Sequence, residues 1–91
     1  MRPADAAALR TAAAIGHYEP CLRLTLSLGD AQRAATITNN LVLCCRTAGR
    51  FDCALRYSEM QLRAAGTEAA RGKIQARMRA LEGEKRARQE A

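Results

Sequence analysis

At 91 residues, 48% of them apolar but only 3% aromatic, the chain has material for one small core filled largely by alanine and leucine rather than by rings. That balance favours close-packed helices over a β-sandwich, which draws on β-branched and aromatic residues. A formal charge of +6 admits acidic protein, nucleic acid or anionic lipid as partners without choosing among them, and no apolar run approaches the roughly 18 residues of a bilayer-spanning helix.

Taken in chain order, the periodicity predicts about five helices. The first runs from about Asp5 to Ile15, with Ala8, Leu9, Ala12 and Ile15 on one face and Gly16 as its stop. Asp5 and Arg10 interrupt this apolar stretch, which reads as a helix rather than as a secretory leader. A second helix follows from Glu19 to about Leu28, with Pro20 in its first turn and Leu22, Leu24, Leu26 and Leu28 along it. Gly29-Asp30 supplies an exit and a cap, and a third helix spans roughly Ala31 to Ala48 with Ala34, Ile37, Leu41, Cys44 and Cys45 inward. Gly49 ends it. The fourth runs from about Asp52 to Ala65, presenting Ala54, Leu55, Ser58 and Leu62. Gly66-Thr67 repeats the exit-and-cap pair ahead of a fifth helix, whose stripe of Ile74, Met78 and Leu81 gives way after residue 81 to a charged stretch read as a solvated helix end or a linker.

Two segments nearly repeat each other. Gly16 to Leu24 reads GHYEPCLRL and Gly49 to Tyr57 reads GRFDCALRY, 33 positions apart, which is the spacing of stacked helical-hairpin units. The four cysteines match no metal spacing, and His17 is the only histidine, so Cys21, Cys44, Cys45 and Cys53 read as small buried hydrophobes in a reducing compartment, the cytoplasm. There is no glycine-rich phosphate loop, and no nucleophile pairs with His17 and an orienting acid, so the expectation is a protein that is not an enzyme and carries no cofactor or metal.

The run Asn40-Leu41 followed by Ala48-Gly49-Arg50-Phe51-Asp52 and Ala54-Leu55 resembles a tetratricopeptide repeat. With Ala35 as the first position, Leu41, Gly49, Phe51 and Ala54 fall at seven, fifteen, seventeen and twenty. Leu9, Gly16, Tyr18 and Cys21 fall at eight, fifteen, seventeen and twenty of a poorer preceding copy. Departures are Cys45 at eleven, Ser58 at twenty-four and Gln61 at twenty-seven. The spacing of 37 between the Gly-cap pairs resembles the longer repeats of bacterial regulatory proteins.

The resemblance implies an all-α fold, an α-α superhelix with units of about 4–29 and 30–66, a partial third unit over 67–81, and a tail over 82–91. It also implies a scaffold that binds a protein or acidic peptide on its concave face. Carried over position by position, that face holds Arg10 from the first unit, Thr36, Asn39, Asn40, Leu43 and Arg46 from the second, and Lys73 and Arg77 from the third. Asn40, Lys73 and Arg77 stand where relatives hold a peptide's terminal carboxylate.

Two further readings stay open. Open ends of so short a stack favour a homo-oligomer, or a regulatory module of a larger bacterial signalling protein. Binding of nucleic acid through Arg71, Lys73, Arg77, Arg79, Lys85, Arg86 and Arg88 is weaker, because Glu82, Glu84 and Glu90 interrupt the cluster and no aromatic accompanies it.

Overall fold

The computed structural model describes residues 2–90, with the backbone alone at residues 3–5, 7 and 8. Among the described residues it contains four helices and no strand: α1 (Pro3–Ser27), α2 (Ala31–Thr47), α3 (Phe51–Ala64) and α4 (Glu68–Glu90). The expected all-α class holds, with four helices in place of about five.

The difference lies at Gly16. Among the described residues, only Gly29 and Gly49 take positive φ, at 71° and 74°. Gly16 stays helical, so the first two expected helices are a single one of 25 residues. A glycine permits a left-handed exit without requiring it, and the neighbouring turns carry enough apolar contact to keep the helix going. Pro20 therefore sits inside α1 instead of opening a helix, and it withholds the N–H that Gly16's carbonyl would otherwise accept. The first unit, 4–29, is consequently one rod rather than a hairpin.

The other turns follow the local chemistry closely. After α1, Asp30 N donates to Thr25 O at 3.0 Å and Gly29 N to Leu26 O at 3.2 Å; after α2, Arg50 N donates to Cys45 O at 2.8 Å and Gly49 N to Arg46 O at 3.0 Å. Both are Schellman exits around a left-handed glycine. Asp30 then accepts from Arg33 N at 3.1 Å and caps α2, and Thr67 Oγ1 accepts from Ala70 N at 3.1 Å near the start of α4. Gly66 departs from the pattern: α3 leaves through an extended Ala65 at φ −67°, ψ 125°, with no left-handed residue.

Each helix packs on the next, α1 on α2, α2 on α3 and α3 on α4. One buried cluster joins Val42 and Cys45 of α2 to Phe51 and Ala54 of α3 and Leu81 of α4; a second joins Leu22 to Ala34 and Leu41. Three hydroxyls inside the fold, those of Thr25, Thr38 and Ser58, each donate to the carbonyl four residues earlier at 2.7–2.9 Å, so their burial strands no donor. Alternate helices are tied by long side chains. Tyr57 of α3 donates to Glu19 of α1 at 2.5 Å, and Asn39–Arg77 and Arg46–Glu84 join α2 to α4, both across 38 positions. Equal offsets seven residues apart mean that α2 and α4 run parallel in fixed register.

Part of the expected core is displaced. Leu22 is buried, but Leu24, Leu26 and Leu28 are exposed, as are Leu9 and Ala12 near the start of α1. The side chain of Ala8 lies outside those described. One helix cannot turn four alternating leucines inward, because a 3.6-residue period sends successive members to different faces. Residues 82–90 continue α4 and reach back to the body: Lys85 Nζ is 2.6 Å from Asp52 Oδ1, and the Arg88 guanidinium stands 5.6 Å from the Phe51 ring centre.

Candidate functional site

The start of α2, the end of α3 and the start of α4 converge on a groove of about 520 Å³. Its volume exists because six of its wall positions, Ala31, Ala34, Ala35, Ala64, Ala65 and Ala70, are alanines, whose methyl groups leave the space between three helices unfilled. Leu26, Met60 and Ile74 supply the larger apolar surfaces, and Thr38, Asn39, Gln61, Lys73 and Arg77 the polar ones.

Arg77 is the centre of this arrangement. Its Nη1 donates to Asn39 Oδ1 at 2.9 Å and its Nη2 donates to Gln61 Oε1, so one guanidinium bridges α2, α3 and α4. Its Nε is buried and has no acceptor among the described residues. Burial, and secondarily the nearby Arg46 charge, hold this guanidinium below its ordinary pKa. Lys73, one turn earlier on the same helix, is exposed and makes no ion pair or hydrogen bond among the described residues. The groove thus has an alanine-lined trough, one free ammonium at its rim and one half-buried guanidinium with a spare donor.

Of the residues expected to form the binding face, Asn39, Lys73 and Arg77 come together here. Arg46 lies further along α2, where its Nη2 is 2.5 Å from Glu84 Oε1 and its Nε donates to both carboxylate oxygens at 3.0 and 3.2 Å. That pairing holds Glu84 below the usual carboxylate range and occupies Arg46. Thr36, Asn40 and Leu43 of α2 and Arg10 of α1 do not line the groove. Thr36 Oγ1 donates to Gln32 O at 3.2 Å along its own helix, and Leu43 is an exposed leucine. The expected trio of Asn40, Lys73 and Arg77 is therefore not assembled: Asn39, one residue earlier, is the partner of Arg77. A shift of one residue turns a side chain by about 100° around a helix, enough to exchange the face toward α4 for another.

Gln61 was not among the expected site residues. Its signal in the sequence was a polar side chain at a place where the resembled repeat has a small one, which the structure explains by the bond to Arg77. Elsewhere, His17 meets the edge of the Tyr18 ring at 5.6 Å between centroids. Among the described residues, no three His, Cys, Asp or Glu side chains gather as metal ligands, and no helix is long and apolar enough to cross a membrane. No protein-family model, curated protein sequence or solved structure matches the chain.

Proposed function

We propose that the chain is a tetratricopeptide-like, non-enzymatic interaction module of the cytoplasm, and that its α2–α3–α4 groove takes a peptide segment carrying apolar side chains next to an acidic group. The observation that carries this reading is the unpaired Lys73 beside an apolar trough whose buried Arg77 Nε lacks an acceptor. Apolar side chains enter space left by the alanines, while a carboxylate pairs with the exposed Lys73 ammonium at the rim.

The test is to pan a library of random displayed peptides on the chain and measure the best binder by fluorescence anisotropy. Sequences pairing Leu, Ile or Phe with Asp or Glu should be enriched. Lys73→Ala should weaken the binder about tenfold, the equivalent of about 1.4 kcal/mol, and Ala35→Met, which fills the trough, should weaken it whatever its charge. No enrichment, or full affinity in both variants, removes the proposal.

A second reading rests on Leu24 and Leu28, exposed by 60% and 73% on the end helix. In that reading the outer flank of α1 pairs with another copy, as in an oligomerising regulatory module of a larger protein. Sedimentation equilibrium separates the two: a dimer dissolved by Leu24→Asp favours self-association, and a monomer favours the groove.

A further inference from the structure

The α1 rod carries leucine on two sides. Leu22 is buried against α2, whereas Leu9 and Leu24 are exposed by 58% and 60%. A helix that is apolar all round is one that something covers. At about 100° per residue, Leu9, Ala13, Pro20 and Leu24 fall within an arc of roughly 60°, and all four are exposed with no charged residue among them. The area at stake is large enough for a stable pair. The chain exposes 6319 Å², where a compact folded chain of 9.9 kDa exposes about 5,200 Å². The excess, roughly 1,100 Å², is more than the about 800 Å² that each partner gives up in a standard interface.

We propose, resting on the self-association reading above, that a second copy covers this stripe, α1 against α1, antiparallel about a two-fold axis between Gly16 and His17. The stripe is complementary to itself in that register. Leu9 lies level with the partner's Leu24, and Ala13 with the partner's Pro20, once in each direction, as an isologous interface requires. Arg10 and Arg23, the exposed arginines of α1, stand on opposite flanks of the stripe, so the seam keeps them on opposite sides instead of face to face. Two residues beyond Leu24, Leu26 has turned about 200° around the rod and lines the groove, so a pair formed this way leaves both grooves open.

The experiment follows the intact chain by sedimentation equilibrium across a wide range of concentration, where a dimer is expected. Leu9→Asp and Leu24→Asp should each raise its dissociation constant at least about tenfold. Leu43→Asp, at a similarly exposed leucine on α2, should leave it unchanged. A benzoylphenylalanine placed at position 9 then reports the register: in an equal mixture of heavy- and light-isotope chains, the mixed tryptic cross-link should join its peptide to residues 24–33. A monomer at every concentration overturns both this proposal and the self-association reading. A monomer that also floats with phosphatidylglycerol vesicles gives the stripe to a lipid surface instead. A dimer whose cross-link lands elsewhere, or that survives Leu24→Asp, overturns the antiparallel α1 seam and leaves self-association standing.

Discussion

Arg77 Nη1 donates to Asn39 Oδ1 at 2.9 Å, and that bond joins α4 to α2 in the same 38-residue register as the bidentate pairing of Arg46 with Glu84 seven residues further along both helices. The two contacts differ in kind. Arg77 bridges to neutral amides with its Nε buried and unaccepted, whereas Arg46 meets a carboxylate at a half-exposed surface.

Gln61→Leu should therefore cost about 1–3 kcal/mol in urea unfolding, because it leaves half of a partly buried guanidinium unsatisfied. Arg77→Met, which removes the charge and its orphan donor together, should cost less than Gln61→Leu. The reverse order would show that the bridge itself, and not the satisfaction of the charge, holds the three helices.

The Glu84 carboxyl is depressed in the fold by its hydrogen bond to Arg46, so the linkage has a definite sign. Its contribution is present above the ordinary carboxylate value of 4.5 and is lost as pH falls through the lower folded value. Denaturation midpoints of the parent and of Glu84→Gln should differ at pH 7, and the difference should shrink as pH falls below 4.5. Parallel curves down to pH 3 would contradict this.

Gly16→Ala should stabilise the chain by about 0.5–1 kcal/mol, since it replaces glycine within a continuous helix at a site with open space around it. Gly49→Ala should destabilise by about 1–2 kcal/mol: its φ is 74°, and an added Cβ would meet the Arg88 guanidinium lying over Phe51. Thermal melts of the two variants should shift in opposite directions. A loss of stability in Gly16→Ala would mean that α1 breaks there after all.

Leu81→Ala removes a fully buried side chain from the cluster that joins α2, α3 and α4 and should cost about 2–5 kcal/mol. Leu24→Ala, on the exposed flank of α1, should fall within about 0.5 kcal/mol of the parent if the chain is a monomer. Chemical unfolding of both variants at two protein concentrations measures this contrast. A large, concentration-dependent cost for Leu24→Ala would instead place that flank in a dimer.

The turns at Gly29-Asp30 and Gly49 were readable in advance because their causes are local: a residue free to take positive φ, beside a side chain able to cap the next helix. The same signal misled at Gly16, where the flanking turns keep helical geometry and the glycine is a tolerated weak point. The candidate groove was half legible. Lys73 and Arg77 lie on one face of α4 by their spacing of four residues, but the partner on α2 depended on a rotation of about 100° that no pattern within one helix reveals.

What the sequence by itself determined is the all-helical class, the turns at Gly29-Asp30 and Gly49, and the inward stripe of Ala34, Leu41, Cys45, Ala54, Ser58 and Leu81, since helical period and turn chemistry act within a few residues of chain. Only the tertiary structure decided that α1 is one rod, that residues 82–90 continue α4 and pack on α3 through Lys85 and Arg88, and that Asn39 and Gln61 hold Arg77. Those outcomes depend on which faces of different helices meet, and that is fixed by packing between residues 16 to 38 positions apart, beyond the reach of any local rule.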